Sequence, residues 1–271
     1  MFAVLEIKEI ENTLKNRLKC RFRPPAVEVE KVEIPDSFSF YRIKAEAIGT
    51  AVPWDSVAEA AGSLRTRLIL PQSVKADENC GVKQYQPAVF PLHVLVNSAI
   101  STLHTMALDP TKMCVSVVDE NAFIIEKIKL LVPLASTIRV VTNNVYEYEK
   151  LARELMSRYG ISLIISGKID EILFLSNVII SDRSVNIPSL FSGILFTNEK
   201  RRMMNATVLT GEGITLPQKY EALLPDGTDR MIFASALYEL CAVNELETLR
   251  FDKMAVCSGG RANTLPRLTK T

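Results

Sequence analysis

Between residues 113 and 197 five short apolar runs, MCVSVV, STIRVVT, ISLIIS, NVIIS and GILFT, recur with helix-forming or turn-forming segments between them. Their apolar residues fall at nearly every position instead of alternate ones. Such strands are buried on both faces, which happens where helices cover both sides of a parallel sheet. The intervening ENAFIIEKIKLLV, ended near Pro133, predicts a helix, and VYEYEKLARELMSRYG predicts another. In the second, Tyr148, Ala152, Leu155 and Tyr159 mark the core face, Asn144 and Glu147 have capping-pair spacing, and Gly160 closes the helix. DEILFLS predicts a short helical turn. Right-handed crossovers would join these pieces into a doubly wound sheet.

The flanking chain has other rhythms, and 271 residues suit two domains. Ile7, Ile10, Leu14, Leu18 and Phe22 recur at helical spacing, with Glu6, Glu9 and Glu11 toward the start and the basic run KNRLKCRFR toward the end. A helix stopped by Pro24-Pro25 is therefore expected, and the basic run reads as a solvated helix end instead of a nucleic-acid strand. AVEVEKVEI (26–34) and FYRIKAEAI (40–48) alternate as strands, PWDSVAEAAGSLRTR (53–67) reads as a helix, RLILP as a strand, and 72–87 as a loop. The expected organisation is a small α/β domain over 1–87, a connecting helix within 88–112, the parallel-sheet domain over 113–215, and C-terminal helices over 216–253 that pack back. The faces of those last helices, Phe233, Leu237 and Leu240 among them, need either the 88–108 helix or the N-terminal domain as partner. Residues 254–271 have the small, polar composition of a flexible tail, and Ser258-Gly259-Gly260-Arg261 lacks the strand and helix a phosphate loop needs.

Several chemistries are excluded early. A net charge of +1 supplies no field for nucleic acid or acidic lipid, and no apolar run approaches the roughly 20 residues of a membrane span. The opening MFAVLEIKEIE carries Glu where a signal peptide carries Lys, so a cytoplasmic protein is expected. Cys20, Cys80, Cys114, Cys241 and Cys257 are scattered and never spaced as C-x-x-C, which fits reduced thiols. The two histidines, His93 and His104, are eleven residues apart on one predicted helix. That is roughly 16 Å along the axis, so they share no metal, and His-based triads have no material.

In open parallel sheets ligands lie beyond the carboxyl ends of the strands. Those ends supply Asp119, Glu120 and Asn121; Thr142, Asn143 and Asn144; Ser166 and Gly167; and Ser181 with Asp182. These are the ligand-binding candidates, and no metal site or catalytic residue emerges among them.

The order of small α/β domain, long helix, parallel-sheet domain and returning helices resembles the shikimate dehydrogenase family, most clearly over 113–182, in RVVTNNVYEYEKLAREL and EILFLSNVIISD. The resemblance implies a Rossmann-like α/β fold and a dinucleotide cofactor. The family's glycine-rich fingerprint should fall at 119–124, where this chain reads DENAFI. Glycines there let the backbone approach a pyrophosphate, whereas Asp119 and Glu120 would repel it by about 1 kcal/mol each. The family's catalytic Lys and Asp motifs have no counterpart in the N-terminal half. No cofactor is therefore expected, and NAD(P) in the usual pose is disfavoured. A response-regulator reading of Asp119 and Glu120 fails because Ser166-Gly167 stands where the phosphate-accepting Asp is required. Two readings remain. One is a ligand-binding protein or enzyme whose crevice takes a small polar or cationic molecule. The other, preferred, is a non-catalytic descendant of a dinucleotide enzyme with a regulatory or assembly role, with apolar helix surface for a homodimer contact.

Overall fold

A computed structural model describes residues 1–11, 13–14, 26–34, 39–48, 51–77, 79–106, 108–169, 175–187, 191–200, 203 and 205–257. The basic run 15–23, Pro24-Pro25, most of DEILFLS and Ser258–Arg261 lie outside these residues, so the expectations made for them do too. In chain order the strands and helices are β1 (Ala3–Ile10), β2 (Val27–Glu33), β3 (Ser39–Ile48), α1 (Trp54–Ala61), β4 (Leu68–Ile69), α2 (Phe90–Met106), β5 (Cys114–Val118) and α3 (Ile125–Ile128). They continue as β6 (Thr137–Val141), α4 (Val145–Tyr159), β7 (Ser162–Ser166), β8 (Val178–Ser181), β9 (Ile194–Thr197), β10 (Thr207–Glu212), α5 (Gln218–Glu221), α6 (Arg230–Cys241) and β11 (Lys253–Val256). The chain forms two compact units, Met1–Phe90 with Leu216–Glu247, and Pro91–Thr215 with Thr248–Thr271.

The first unit is built on a mixed sheet in the order β2-β3-β1-β4, with β1 parallel to both β3 and β4 and β2 antiparallel to β3. Its opening strand corrects the helix expected from Ile7 onward. Phe2, Ala3, Val4 and Leu5 are all fully buried, because β1 lies between two strands and both its faces are covered, while Leu14, assigned to the helix's apolar face, is 80% exposed. Burial on both faces is a strand property; the helical spacing came from residues farther along the chain. On one face Ala3, Leu5, Ile43 and Ala45 pack with Val57 and Ala61 of α1. The rings of Phe2 and Phe40 stack 5.1 Å apart, and Phe233 of α6 meets both edge-on at 6.0 and 5.7 Å. The returning helices thus cover the N-terminal sheet, the second of the two partners foreseen for them.

The second unit carries a seven-stranded sheet in the order β11-β10-β9-β8-β5-β6-β7. The six strands from β10 to β7 are parallel, and only β11 runs antiparallel. Counted from β5, this is the 3-2-1-4-5-6 order of the Rossmann fold. The core combines Val115 and Val117 of β5, Ile138 and Val140 of β6, Tyr148, Leu151 and Leu155 of α4, and Leu95, Val96 and Ala99 of α2.

Four local expectations change here. The helix expected over ENAFIIEKIKLLV shrinks to one turn, α3, followed by 3-10 turns over Lys129–Leu134. Residues 119–124 are spent in a turn with Ala122 at φ 60°, and Pro133 lacks the amide an α-helix would need. Asn144 starts α4 but makes no side-chain cap; its own amide donates to the Thr142 hydroxyl at 3.0 Å. The buried face of α4 runs through Tyr148, Leu151 and Leu155, which leaves Tyr159 54% exposed. Finally, β10 was unforeseen, and β11 occupies the start of the expected flexible tail. Gly211 explains why the pair forms: a Cβ there would sit 2.2 Å from the ring of Phe251, so only glycine lets the chain turn so closely onto β10.

Truncating Phe233 to Ala removes the ring that touches two others, and about 3–5 kcal/mol of stability should go with it. Denaturant unfolding of the variant, followed by circular dichroism, checks this; a loss under about 1 kcal/mol would show the aromatic cluster to be incidental.

Candidate functional site

The carboxyl ends of β5, β6, β7 and β8 bring the candidate residues to one end of the second unit's sheet. Strand succession reverses between β5 and β8, the position where open sheets of this order accept ligands. The loop after β5 is the decisive piece. Its fingerprint-equivalent positions hold Asp119, Asn121 and Ile124 instead of glycine.

Asp119 turns inward and is 1% exposed. Its Oδ1 accepts the Phe123 amide at 2.9 Å, and its Oδ2 accepts the Ile124 amide at 2.9 Å and the Tyr148 hydroxyl at 2.6 Å. The amides that a dinucleotide-binding loop aims at phosphate therefore point at the chain's own carboxylate. Burial, followed by the Asp119 charge and the hydrogen bond to it, pushes the Tyr148 phenol far above its ordinary range, so it stays a donor. The turn closes through Ala122, whose amide reaches the Asp119 carbonyl at 3.4 Å. Its left-handed backbone costs a non-glycine residue roughly 1–2 kcal/mol.

The neighbouring loops are tied to this turn. The Glu120 carbonyl accepts the Asn143 amide at 2.9 Å and the buried Thr142 hydroxyl at 3.2 Å, joining the ends of β5 and β6. The Thr142 amide donates to the Ser166 carbonyl at 3.0 Å, joining β6 to β7. Across the switch point the Glu120 carboxylate forms an ion pair with Arg183. With Glu120 34% and Arg183 49% exposed, such a pair contributes about 0.2–1 kcal/mol. The other candidates serve local turns. The Ser166 hydroxyl accepts the Lys168 amide, and the buried Ser181 hydroxyl accepts the Arg183 amide at 3.3 Å. Asn121, Asn143, Asn144 and Gly167 are exposed.

Asp182 is half-buried, and desolvation raises its carboxyl above the ordinary 3.8; Arg183 opposes the rise, while Asp119 and Glu120 add to it. Sequence reasoning missed Arg183 and the role of Tyr148. The run VIISDR, a strand followed by two charged residues, carries the signal for Arg183; nothing in the sequence links Tyr148 to Asp119, 29 residues away. Among the described residues no group of three or more His, Cys, Asp or Glu is placed to hold a metal. His93 is buried and His104 exposed. No described helix is long and apolar enough to cross a membrane. Chemically, the arrangement offers one guanidinium paired with Glu120, a carboxylate holding three donors, and hydroxyls engaged in turns.

No protein-family model matches the sequence, and no curated protein matches it. Solved structures show distant likenesses. L-tryptophan dehydrogenase from Nostoc punctiforme is 14% identical over 90% of this chain and 75% of its own, with a TM-score of 0.32. One subunit of dipicolinate synthase from Bacillus halodurans is 11% identical over 88% of this chain and 97% of its own, with a TM-score of 0.33. Thermococcus litoralis Δ1-pyrroline-2-carboxylate reductase, solved with NADH and L-proline, is 12% identical over 44% of this chain, with a TM-score of 0.29. This chain spans 37% of that reductase's length. At such scores the fold assignment rests on the strand order itself.

Replacing Asp119 with Ala leaves two amides and a phenol without an acceptor and should cost about 3–5 kcal/mol, against about 1–2 for Tyr148→Phe. A double-mutant cycle in urea checks it; additive losses would show that the two side chains are not coupled. Ala122→Gly should stabilise by up to about 1 kcal/mol, since glycine removes the left-handed strain but loses more chain entropy. For Asp182 the sign follows from its raised folded value: the folded chain holds that proton more tightly, so its contribution favours folding at acid pH and is lost as pH rises through the folded value. Asp182→Asn should accordingly melt higher than the parent near neutral pH, with the gap closing on acidification.

Proposed function

We propose that this chain is a Rossmann-like α/β protein that has given up dinucleotide binding at its switch point and works in regulation or assembly, not catalysis. One observation carries the reading: the buried Asp119 carboxylate accepts the amides of Phe123 and Ile124, the donors that a pyrophosphate would need. An NAD(P) diphosphate placed there would have to displace a carboxylate already holding three hydrogen bonds, and would meet Glu120 beside it. Around the same crevice no described nucleophile is paired with a free base: Ser181 is bonded within its turn and Glu120 is held by Arg183. The resemblance to the shikimate dehydrogenase family supplies the ancestry in this reading.

Thermal melts with NADH and with NADPH test it. A ligand at 100 times its dissociation constant stabilises by about 2.7 kcal/mol, a shift of several degrees for a unit of this size. No shift is expected with either nucleotide. A saturable shift, abolished when Arg183 is replaced, would return the chain to the dinucleotide-binding proteins.

A second reading has its own support. Asp119, Glu120 and Asp182 share the strand ends with a single guanidinium, Arg183; desolvation is the main reason the Asp182 carboxyl is raised, and the Asp119 and Glu120 charges add to it. A small polar or cationic molecule, an amine for example, is the ligand such a crevice would take. A stabilising shift with amines but not nucleotides, lost in Asp182→Asn, selects it over the first.

A further inference from the structure

The second unit's sheet ends at β7, whose sequence Ser162-Leu163-Ile164-Ile165-Ser166 reads nearly the same in both directions. It contains no charge, proline or bulge. The other sheet edges are guarded as edges usually are: β2 carries Glu28, Glu30, Lys31 and Glu33, β4 has two residues, and β11 opens with Lys253. Of the twelve large hydrophobic residues exposed among those described, five lie in the α4–β7 unit: Val145, Tyr146, Met156, Tyr159 and Ile164.

The ladder fixes which backbone groups face outward. The Ser166 carbonyl points to β6, where it accepts the Thr142 amide. By the period of two, Ile164 and Ser162 also point inward, and the amide and carbonyl of Leu163 and of Ile165 point away from the sheet. An antiparallel copy centred on Ile164 would set Leu163 opposite the copy's Ile165 and the reverse, closing four hydrogen bonds. Ile164, 38% exposed, would then meet its own counterpart in a non-hydrogen-bonded pair, where side chains approach most closely. On the other face of the seam α4 adds charge complementarity. Glu149 and Arg153 are both exposed, four residues apart on the flank beside Met156, and an antiparallel copy presents the same pair in reverse order.

We propose that this edge is a homodimer interface in which β7 pairs with β7 of a second copy about a two-fold axis through Ile164, making one continuous sheet. The proposal supplies a partner for the assembly reading above but involves neither the crevice carboxylates nor Arg183, so either can fail alone.

Sedimentation of the full chain at micromolar concentration should give a dimer. Ile164→Lys places two ammonium groups opposite each other and should weaken that dimer about tenfold or more, while the circular dichroism spectrum stays that of the parent. Ile164→Cys should cross-link under mild oxidation, because the paired Cα atoms would lie about 4.5 Å apart, within disulfide reach. Ser162→Cys should not, since its two copies would be about 13 Å apart. A monomeric parent, a dimer indifferent to Ile164→Lys, or equal cross-linking of the two cysteine variants would each overturn the proposal; the parent chain oxidised in parallel accounts for its native thiols.

Discussion

A single carboxylate, Asp119 just past the carboxyl end of the central strand β5, organises the loops at that end of the parallel sheet. Three donors converge on it, two from the turn it begins and one from α4. A buried anion is tolerated only when its lone pairs are met in this way. Glycine in place of Asp119 would orphan the Tyr148 hydroxyl together with the Phe123 and Ile124 amides. The left-handed Ala122 persists because the surrounding hydrogen bonds over-determine it.

The same device recurs in the first unit. Glu239 of α6 accepts the Val89 and Phe90 amides at 2.8 Å and the Tyr85 hydroxyl at 2.6 Å, filling the start of α2. Asp229 takes the Ile232 amide at the start of α6. Helix starts that elsewhere bind anions are here occupied by acidic side chains of the protein itself. The amide donors there act as fixings between elements. Among the described edge strands, β7 is the one least defended against pairing.

Much of this architecture was legible. The uninterrupted Val/Ile runs from 113 to 197 identify buried parallel strands because burial on both faces removes the alternation a half-exposed strand would show. The same logic at Phe2–Leu5 announces β1, but four residues are too few to outweigh a helical period spread over the next seventeen. β10 and β11 escaped notice because their pairing depends on a glycine beside a ring 40 residues later in the chain, Gly211 against Phe251. The sequence predicts a longer α3 than Ile125–Ile128 because the apolar spacing continues through a turn whose geometry is set by Asp119.

By itself the sequence determined the class of fold, the succession of strands from β5 to β9, and the absence of glycine at residues 119–124, because hydrophobic period and residue type are local properties of the chain. Only the tertiary structure decided that the Asp119 carboxylate points inward to Tyr148, that Arg183 reaches across to Glu120, and that β7 closes the sheet with its outer bonds facing away. Those facts depend on which distant segments lie side by side, and a hydrogen bond exists only once its donor and acceptor have been brought within about 3 Å.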